Sequence, residues 1–449
     1  MIGSDDLIVD LFAGGGGAST GVEAAIRRPV DIAVNHDEAA IAMHQRNHPE
    51  TRHYREDVFA VDPREVCGSR RVAGLWMSPD CTHFSKAKGK QPRKKEIRAL
   101  ADVGIRWAEL PRHQRPRLIM LENVEEFQDW GPIDENGVPI KSRRGEDFQA
   151  WCGRLSDLGY KLEYRTLVAA DYGAPTTRKR LFVLARCDGR PIVWPEPTHG
   201  KGRAKPWRAA AEIIDWSLPC PSIFGRKKPL AEATLRRIAR GIQRFVIGSA
   251  KPFIVKYYGQ STVDSVEQPL GTVTSNIHHA LVAPFITKHF GGGPNGKPPP
   301  GIDARRPLDT VTEQDHHALS VAFLTKFYGM STVTASGSHL AEIRAFLMKY
   351  HGDGQCVSRG QTTFGSMNVH HAHAGCVFID GEAYEIVDIG MRMLSSRELF
   401  AAQGFPADYD ILPMLHGKPI TKTQQIALAG NSVPPPMAEH LARANLMLG

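Results

Sequence analysis

The first two hundred residues alternate between short apolar runs and stretches with helical spacing. LIVDLFA ends in glycines, and VDIAVNHD, VAGLWMSP, RLIMLENV, RTLVAADYG and KRLFVLARC follow it in turn. Short unbroken apolar runs fit strands buried on both faces, and the segments between them fit covering helices. The pattern over residues 7–195 predicts an α/β fold with a doubly wound, mostly parallel, Rossmann-like sheet. Such sheets bind ligands beyond the carboxyl ends of their strands, and the residues with distinctive chemistry stand at those ends.

The pattern changes after about residue 196. WPEPTHGKGRAKPW, rich in proline, glycine and basic residues, marks a boundary. Beyond it lies an internal repeat: PFIVKYYG (252–259) recurs as PFITKHFG (284–291), AFLTKFYG (322–329) and AFLMKYHG (345–352). The first two copies continue to PLGTVTSNIHHALV (269–282) and PLDTVTEQDHHALSV (307–321), and the later ones degrade. Alternation of apolar and polar positions up to a glycine reads as strand, turn, strand. The uneven spacing argues against a propeller or solenoid and predicts a small β-rich domain built by duplication. From about 392 helical character returns, in SSRELFAAQGFP and then TKTQQIALAGNSVPPPMAEHLARANLML. The final stretch, over 416–449, is expected to pack back on the first domain.

Composition narrows the function classes. A chain of 449 residues, 42% hydrophobic and 23% charged, has a soluble protein's makeup and buries a large core. No apolar run approaches the roughly 18 residues of a membrane span, and the amino terminus lacks a signal-peptide layout, so a cytoplasmic protein is expected. The net charge of +8 favours polyanionic partners. Seven scattered cysteines without a CxxC pair fit a reducing compartment and predict neither a disulfide framework nor a metal site.

Three motifs carry candidate chemistry. DLFAGGGGASTG (10–21) runs from a strand through glycines into a helix, where backbone and free amides can approach a ligand. A tight turn without a ligand is the lesser reading of it. MSPDCTHFSKAKGK (77–90) places Cys81 on a proline-containing loop followed by lysines, whose charge favours the thiolate. Alone, such a cysteine is more often a buried filler. LENV (121–124) ends another strand with Glu122, which suits acid chemistry toward a heterocycle.

Together, in this order, these motifs resemble those of the cytosine-5 DNA methyltransferases. DLFAGGGG is similar to that family's cofactor motif, SPDC to its Pro-Pro-Cys nucleophile loop and ENV to its Glu-Asn-Val. YGAPTTRKRLF (172–182) resembles its Gln-x-Arg-x-Arg segment, LSSRELFAAQGFP (394–406) its ninth motif and AGNSVPPPMAEHLA (429–442) its tenth. The resemblance implies S-adenosylmethionine as methyl donor, with no metal, and a cytosine in double-stranded DNA, flipped out of the stack, as substrate. It implies Cys81 as the nucleophile on cytosine carbon 6, Glu122 at ring nitrogen 3, and Arg178 and Arg180 steadying the base. Phe12, Gly14, Gly16, Asn35, His36, Asp57, Val58, Pro79, Asn431, Ser432 and Val433 are the implied cofactor residues. Ser85, Lys86, Lys88 and Lys90 of the nucleophile loop, with Lys256 and Lys288 of the repeats, are the expected DNA contacts. The corresponding division is a catalytic and cofactor domain over 1–215, a target-recognition domain over 216–415 and a returning segment over 416–449. A monomer is expected, and a cognate restriction endonuclease is left open as a partner.

Three positions depart from the family pattern. Asn35 stands where an acid usually meets the ribose, Asp80 replaces the second proline beside the nucleophile, and Thr176 replaces the glutamine before the arginines. The same motifs also permit a transfer-RNA cytosine methyltransferase, for which the insertion is long, or a non-catalytic DNA-binding relative, which the intact Cys81 and Glu122 disfavour. The loop is similar, too, to the Ser-Pro-Pro-Tyr loops of amine methylases, which need no cysteine. Paired histidines in the repeats (278 and 279, 316 and 317, 370 and 371) lack acids or cysteines nearby and fit structural or DNA-facing roles better than metal binding.

Overall fold

The computed structural model describes residues 2–80, 100–221, 223, 227–230, 253–256, 263–273, 279–283, 285–288, 302–303, 317–320, 324–326, 376–379, 382–386 and 390–447. The chain divides into two compact units. The first takes Met1–Ile213, Gln268–Asn276 and Ser395–Gly449, and the second takes Ile214–Glu267 and Ile277–Leu394.

The first unit is built on a seven-stranded sheet of β1 (Leu7–Leu11), β2 (Ile32–Val34), β3 (Arg52–Tyr54), β4 (Val72–Met77), β5 (Leu118–Asn123), β6 (Lys161–Val168) and β7 (Lys179–Arg186). The strand order is β3-β2-β1-β4-β5-β7-β6. β1 to β5 run parallel, and β7 is antiparallel to both β5 and β6. The apolar runs become central strands because both faces are covered. On one face Val9, Leu11, Leu75, Met77, Ile119 and Leu121 pack with Trp107, Phe148 and Trp151. On the other, Ile8, Trp76, Leu118 and Met120 pack with Val22, Ile26, Met437 and Leu441. The doubly wound, Rossmann-like class predicted from the sequence is the one observed.

The covering helices are α1 (Gly17–Ile26), α2 (Glu38–Asn47), α3 (Pro63–Cys67), α4 (Val103–Ala108) and α5 (Glu146–Asp157), joined by α6 (Ser396–Gln403), α7 (Lys422–Asn431) and α8 (Pro435–Leu446). Strand order reverses between β1 and β4, so the ligand crevice of such a fold opens beyond Leu11 and Met77, which lie side by side in the sheet.

The unit boundaries differ from the expected ones. The first falls at 213/214 and the second at 394/395, where the sequence suggested 215/216 and 415/416. The physical reason for the second is α6. A capping box of Ser395 and Glu398 starts it, and its buried residues Leu399, Phe400, Ala402 and Gln403 belong to the first unit's core. Residues 268–276, part of the first repeat, also join the first unit. Leu270 accepts a hydrogen bond from the Thr177 amide and donates its own to the Pro175 carbonyl, at 2.7 and 2.8 Å.

In the second unit, β8 (Phe253–Lys256), β9 (Val263–Ser265), β10 (His279–Ala283) and β17 (Gly390–Met393) form one sheet. β11 (Phe285–Lys288), β12 (Ile302–Asp303) and β13 (His317–Ser320) form a second, and β14 (Leu324–Lys326), β15 (Cys376–Ile379) and β16 (Glu382–Ile386) a third. The duplication survives in the pairing. Lys256 stands opposite His279 and Phe253 opposite Val282, and in the next copy Lys288 stands opposite His317 and Phe285 opposite Ser320. The third copy breaks the rule, since β14 pairs with β16 and sets Lys326 against Tyr384. The fourth copy lies outside the described residues. Among the described residues no helix is long and apolar enough to cross a membrane.

Candidate active site

The loop from β1 to α1 turns through three left-handed residues, Phe12 (φ 63°), Gly14 (φ 54°) and Gly16 (φ 84°). A phenylalanine there is strained, and strain of this kind persists where surrounding bonds over-determine it. Those bonds are present: the Ala13 amide donates to the Val34 carbonyl (3.1 Å), the Gly16 amide to Ala13 (3.0 Å) and the Ser78 amide to Leu11 (3.3 Å). The glycines divide into two kinds. A Cβ on Gly14 would meet only the Phe12 carbonyl, at 3.7 Å, among the described residues, so this position faces open space. A Cβ on Gly16 would overlap the Tyr409 hydroxyl and crowd His48 Nε2 at 2.9 Å, and one on Gly17 would overlap the Val433 carbonyl. Gly16, expected to line the cofactor, is thus a glycine because protein atoms press on it.

The other expected cofactor residues stand along the same edge. Asn35 follows β2; its amide donates to the Tyr54 carbonyl, and its side-chain oxygen accepts the Asp37 amide at 2.8 Å. That bond closes an Asx turn, so part of the amide's capacity is used locally. His36 and Asp57 are exposed, Val58 is buried, and Asp57 Oδ1 accepts the Phe59 amide at 2.8 Å. Ser432 Oγ lies 3.3 Å from where a Gly15 Cβ would sit, which brings the tenth-motif segment onto the glycine loop. Val433 is buried, and Asn431 is exposed at the end of α7.

Glu122 is the penultimate residue of β5 and is 5% exposed. Arg180 Nε lies 3.1 Å from its Oε1 and Arg178 Nη2 4.0 Å. That oxygen is buried and has no hydrogen bond among the described residues. Lys179, between the arginines, points the other way and pairs with Glu125 at 3.0 Å. Residues two apart on an extended chain share a face, which is why both arginines reach one carboxylate. The next residue, Asn123, donates from Nδ2 to the Pro79 carbonyl at 3.0 Å and accepts the Val124 amide at 2.8 Å. Pro79, an expected cofactor residue, is thereby fixed beside the end of β5. Cys81, Ser85, Lys86, Lys88 and Lys90 lie outside the described residues. Lys256 and Lys288 are placed as backbone positions on β8 and β11.

Expected residues also brace one another, together with Gln403, which carries no distinctive signal in the sequence. Arg178 Nη1 donates to the carbonyls of Gly430 (2.8 Å) and Val273 (2.9 Å). Gln403 Nε2 donates to Ala429 (2.8 Å), and Ser432 Oγ to Leu428 (2.8 Å). The last carbonyls of a helix lack partners within it, and at α7 these three side chains supply them, so the turn Asn431–Val433 leaves a rigid support. Thr176 donates to the Gly271 carbonyl (3.2 Å) and accepts the Arg178 amide (3.3 Å). Its departure from the usual glutamine has a local purpose.

Beneath the glycine loop lies a buried polar chain. Ser19 donates to Asp10 Oδ2 (2.7 Å), His44 Nε2 lies 3.0 Å from Ser19 Oγ, and His44 Nδ1 lies 2.8 Å from His53 Nε2. With the Ser19 proton committed to Asp10, His44 donates to Ser19 and accepts from His53. Burial pushes the Asp10 carboxyl up to about 7, against the opposing Ser19 hydrogen bond. Burial holds the His44 imidazole well below its ordinary value, with His48 and His53 adding to the effect.

Comparison with known proteins agrees with this architecture. A model of the family described as C-5 cytosine-specific DNA methylase matches residues 7–206 and 308–446. The chain belongs to that family. Among curated members, the type II methyltransferase M.SacI of Streptomyces achromogenes is 27% identical over 212 residues, 43% of this chain and 50% of the relative. M.AquIA of Picosynechococcus is 26% identical over 43% of this chain and 77% of the relative. M.NaeI of Lentzea aerocolonigenes is 33% identical over 42% and 43%. The match thus spans about half the length of several family members. Among solved structures, the Dnmt2 methyltransferase of S. pombe is 14% identical, with 98% of each chain covered and a TM-score of 0.49. The fold assignment rests on the sheet order itself.

Proposed function

We propose that the protein transfers a methyl group from S-adenosylmethionine to carbon 5 of a flipped cytosine in double-stranded DNA, through a covalent adduct with Cys81. One observation carries the reading. The Asn123 hydrogen bond holds Pro79, two residues before Cys81, beside the strand end that bears Glu122 and its arginines.

The edge residues fit the donor. Gly14 offers open backbone, the Phe12 ring is half-buried beside it, and Asn35 and Asp57 supply amide and carboxylate groups suited to a ribose and an adenine amine. Asn431, Ser432 and Val433 close the other side, with His36, Val58 and Pro79 alongside. When bound, the donor supplies an electrophilic methyl on a sulfonium. The Cys81 thiolate adds to cytosine carbon 6, and the electron pair displaced from the 5,6 double bond makes carbon 5 nucleophilic. Glu122, as the acid, protonates or hydrogen-bonds ring nitrogen 3, and Arg180 stabilises charge at the base's carbonyl oxygen. After methylation a base removes the carbon-5 proton, the 5,6 double bond re-forms, and the carbon–sulfur bond breaks to release Cys81. The ring is out of reach inside a duplex, so the base is extruded. Ser85, Lys86, Lys88, Lys90, Lys256 and Lys288 are assigned to the DNA, and the second unit to target recognition. The type II names of the relatives make a cognate restriction endonuclease the partner to look for.

Tritium from labelled S-adenosylmethionine is expected in duplex DNA and not in transfer RNA. Cys81→Ser should abolish it while donor affinity stays within about twofold. Native protein should trap 5-fluorocytosine DNA covalently. Label in RNA alone, or no trapping, overturns the reading.

A further inference from the structure

The carbonyls of Gly15 and Gly16, at the turn of the glycine loop, point away from the strand edge into the protein, and two hydroxyls meet them. Tyr409 donates to the Gly15 carbonyl at 2.6 Å, and Thr20 donates its hydroxyl at 2.7 Å to the Gly16 carbonyl, which also accepts the Thr20 amide at 2.9 Å as the first bond of α1. Tyr409 belongs to the segment after α6, 394 residues from Gly15. His48 Nε2 lies between the hydroxyls, 3.3 Å from Thr20 Oγ1 and 3.5 Å from the Tyr409 oxygen. Its Nδ1 lies 2.8 Å from Glu23 Oε2, while Glu23 Oε1 accepts the Val30 amide at 3.0 Å. The group fills the space that a Gly16 side chain would need. Packing alone does not explain it. The Tyr409 ring stacks among Phe400 and Phe405, with centroids 6.2 and 4.7 Å away, and a phenylalanine would pack there equally well. The hydroxyl is what reaches the loop. Burial raises the phenol's pKa and keeps it protonated as a donor.

We propose that Tyr409 and Thr20, steadied by His48 and Glu23, are positioning residues of the cofactor loop. Tyr409 holds the Gly15 carbonyl inward and the Thr20 hydroxyl reinforces the helical bond that holds the Gly16 carbonyl, which leaves the Gly14 backbone and the strained Phe12 turned to the ligand side. A backbone loop with three left-handed residues has many alternative conformations when free, and two fixed carbonyls remove them before the ligand arrives, so less ordering is charged to binding. None of the four touches the reacting atoms. The inference rests on the reading of this edge as the S-adenosylmethionine site.

The test compares Tyr409→Phe and Thr20→Val with Tyr160→Phe. Tyr160 is a buried tyrosine whose hydroxyl likewise donates to a backbone carbonyl, that of Pro116 at 2.5 Å, in another part of the unit. Calorimetric titration of full-length protein with S-adenosylmethionine should show about tenfold weaker binding for Tyr409→Phe and somewhat less for Thr20→Val. Tyr160→Phe should bind as the native protein does, at a similar loss of melting temperature. In turnover, KM for the donor should rise while KM for DNA and kcat at saturating donor hold. Hydrogen exchange should quicken at the amides of residues 13–17 in the first two variants only. Donor affinity unchanged in Tyr409→Phe and Thr20→Val, or lowered equally in all three, overturns the proposal. Native protein that binds no S-adenosylmethionine overturns the cofactor reading itself, and the positioning role with it, whatever the variants do.

Discussion

Arg178 and Arg180 share a face of the chain, and both come within 4.0 Å of Glu122. Arg178 spends its Nη1 on two backbone carbonyls at the end of α7 and in residues 268–276, while Arg180 Nη1 donates only to the carbonyl of its neighbour Lys179. The two should therefore fail differently. Arg178→Met strands two buried carbonyls, at roughly 1–3 kcal/mol each, and loosens the turn before Asn431. Urea unfolding should show a loss of about 2–5 kcal/mol together with weaker donor binding. Glu122→Gln keeps the shape and removes the proposed acid. It should cut kcat by about two to four orders of magnitude and leave donor affinity alone. Asp10 gives a prediction in pH. Its native value is raised to about 7, so the folded protein keeps a proton that the unfolded chain gives up near 4. That contribution is full at low pH and is lost as pH rises from about 4 to about 7. His44 acts in the opposite sense: its lowered value gives a contribution present above about 6.5 and lost as pH falls. Asp10→Asn removes only the first. Its stability relative to native should climb by a few kcal/mol between pH 4 and pH 7 and level off above. A gap that does not change with pH would show an ordinary carboxyl.

Among elements, the contact of α1 with α8 decides why the glycine run is so long. Gly17 and Gly21 face the carbonyls of Val433 and Pro435, and a methyl on either overlaps backbone that cannot step aside. Gly17→Ala and Gly21→Ala should each cost several kcal/mol, read as a drop in urea midpoint. Gly153 in α5 has nothing within 4 Å of a Cβ, and Gly153→Ala should stabilise by about 0.5–1 kcal/mol. From the sequence alone DLFAGGGGASTG reads as a ligand loop, and at Gly14 that remains the best account. At Gly16, Gly17 and Gly21 the partner is protein instead, contributed from residues some four hundred positions away, and no local pattern carries that. The central strands were legible because burial on both faces leaves an unbroken apolar run. α6 was legible as a helix, but its side of the boundary was not, since the capping box at Ser395 and the contacts to Tyr409 and Ala429 that tie it to the C-terminal stretch leave no mark in composition. Glu122 and its arginines were legible by type and order, whereas the bracing hydroxyls of Tyr409 and Thr20 look like any others.

At the scale of the molecule, the first unit is assembled from three stretches of chain and the second from two. The repeats record their history in register, lysine opposite histidine in two successive copies, and then depart from it in the third. If the second unit reads the target, replacing residues 277–394 with the corresponding region of another family member should change the methylated sequence in bisulfite reads. Donor affinity, set in the first unit, should hold. An unchanged target would assign recognition elsewhere. The reach from Gly15 to Tyr409 has a consequence in time. At about 5–20 residues per second, a ribosome emits Tyr409 about 20 to 80 s after the glycine loop it closes. For that interval the nascent chain carries the loop without its clasp, and α1 without the helix that covers its glycines. A fragment released early, by a broken message or a protease, would carry the glycine loop and α1 with none of the partners that residues 409–446 bring to them.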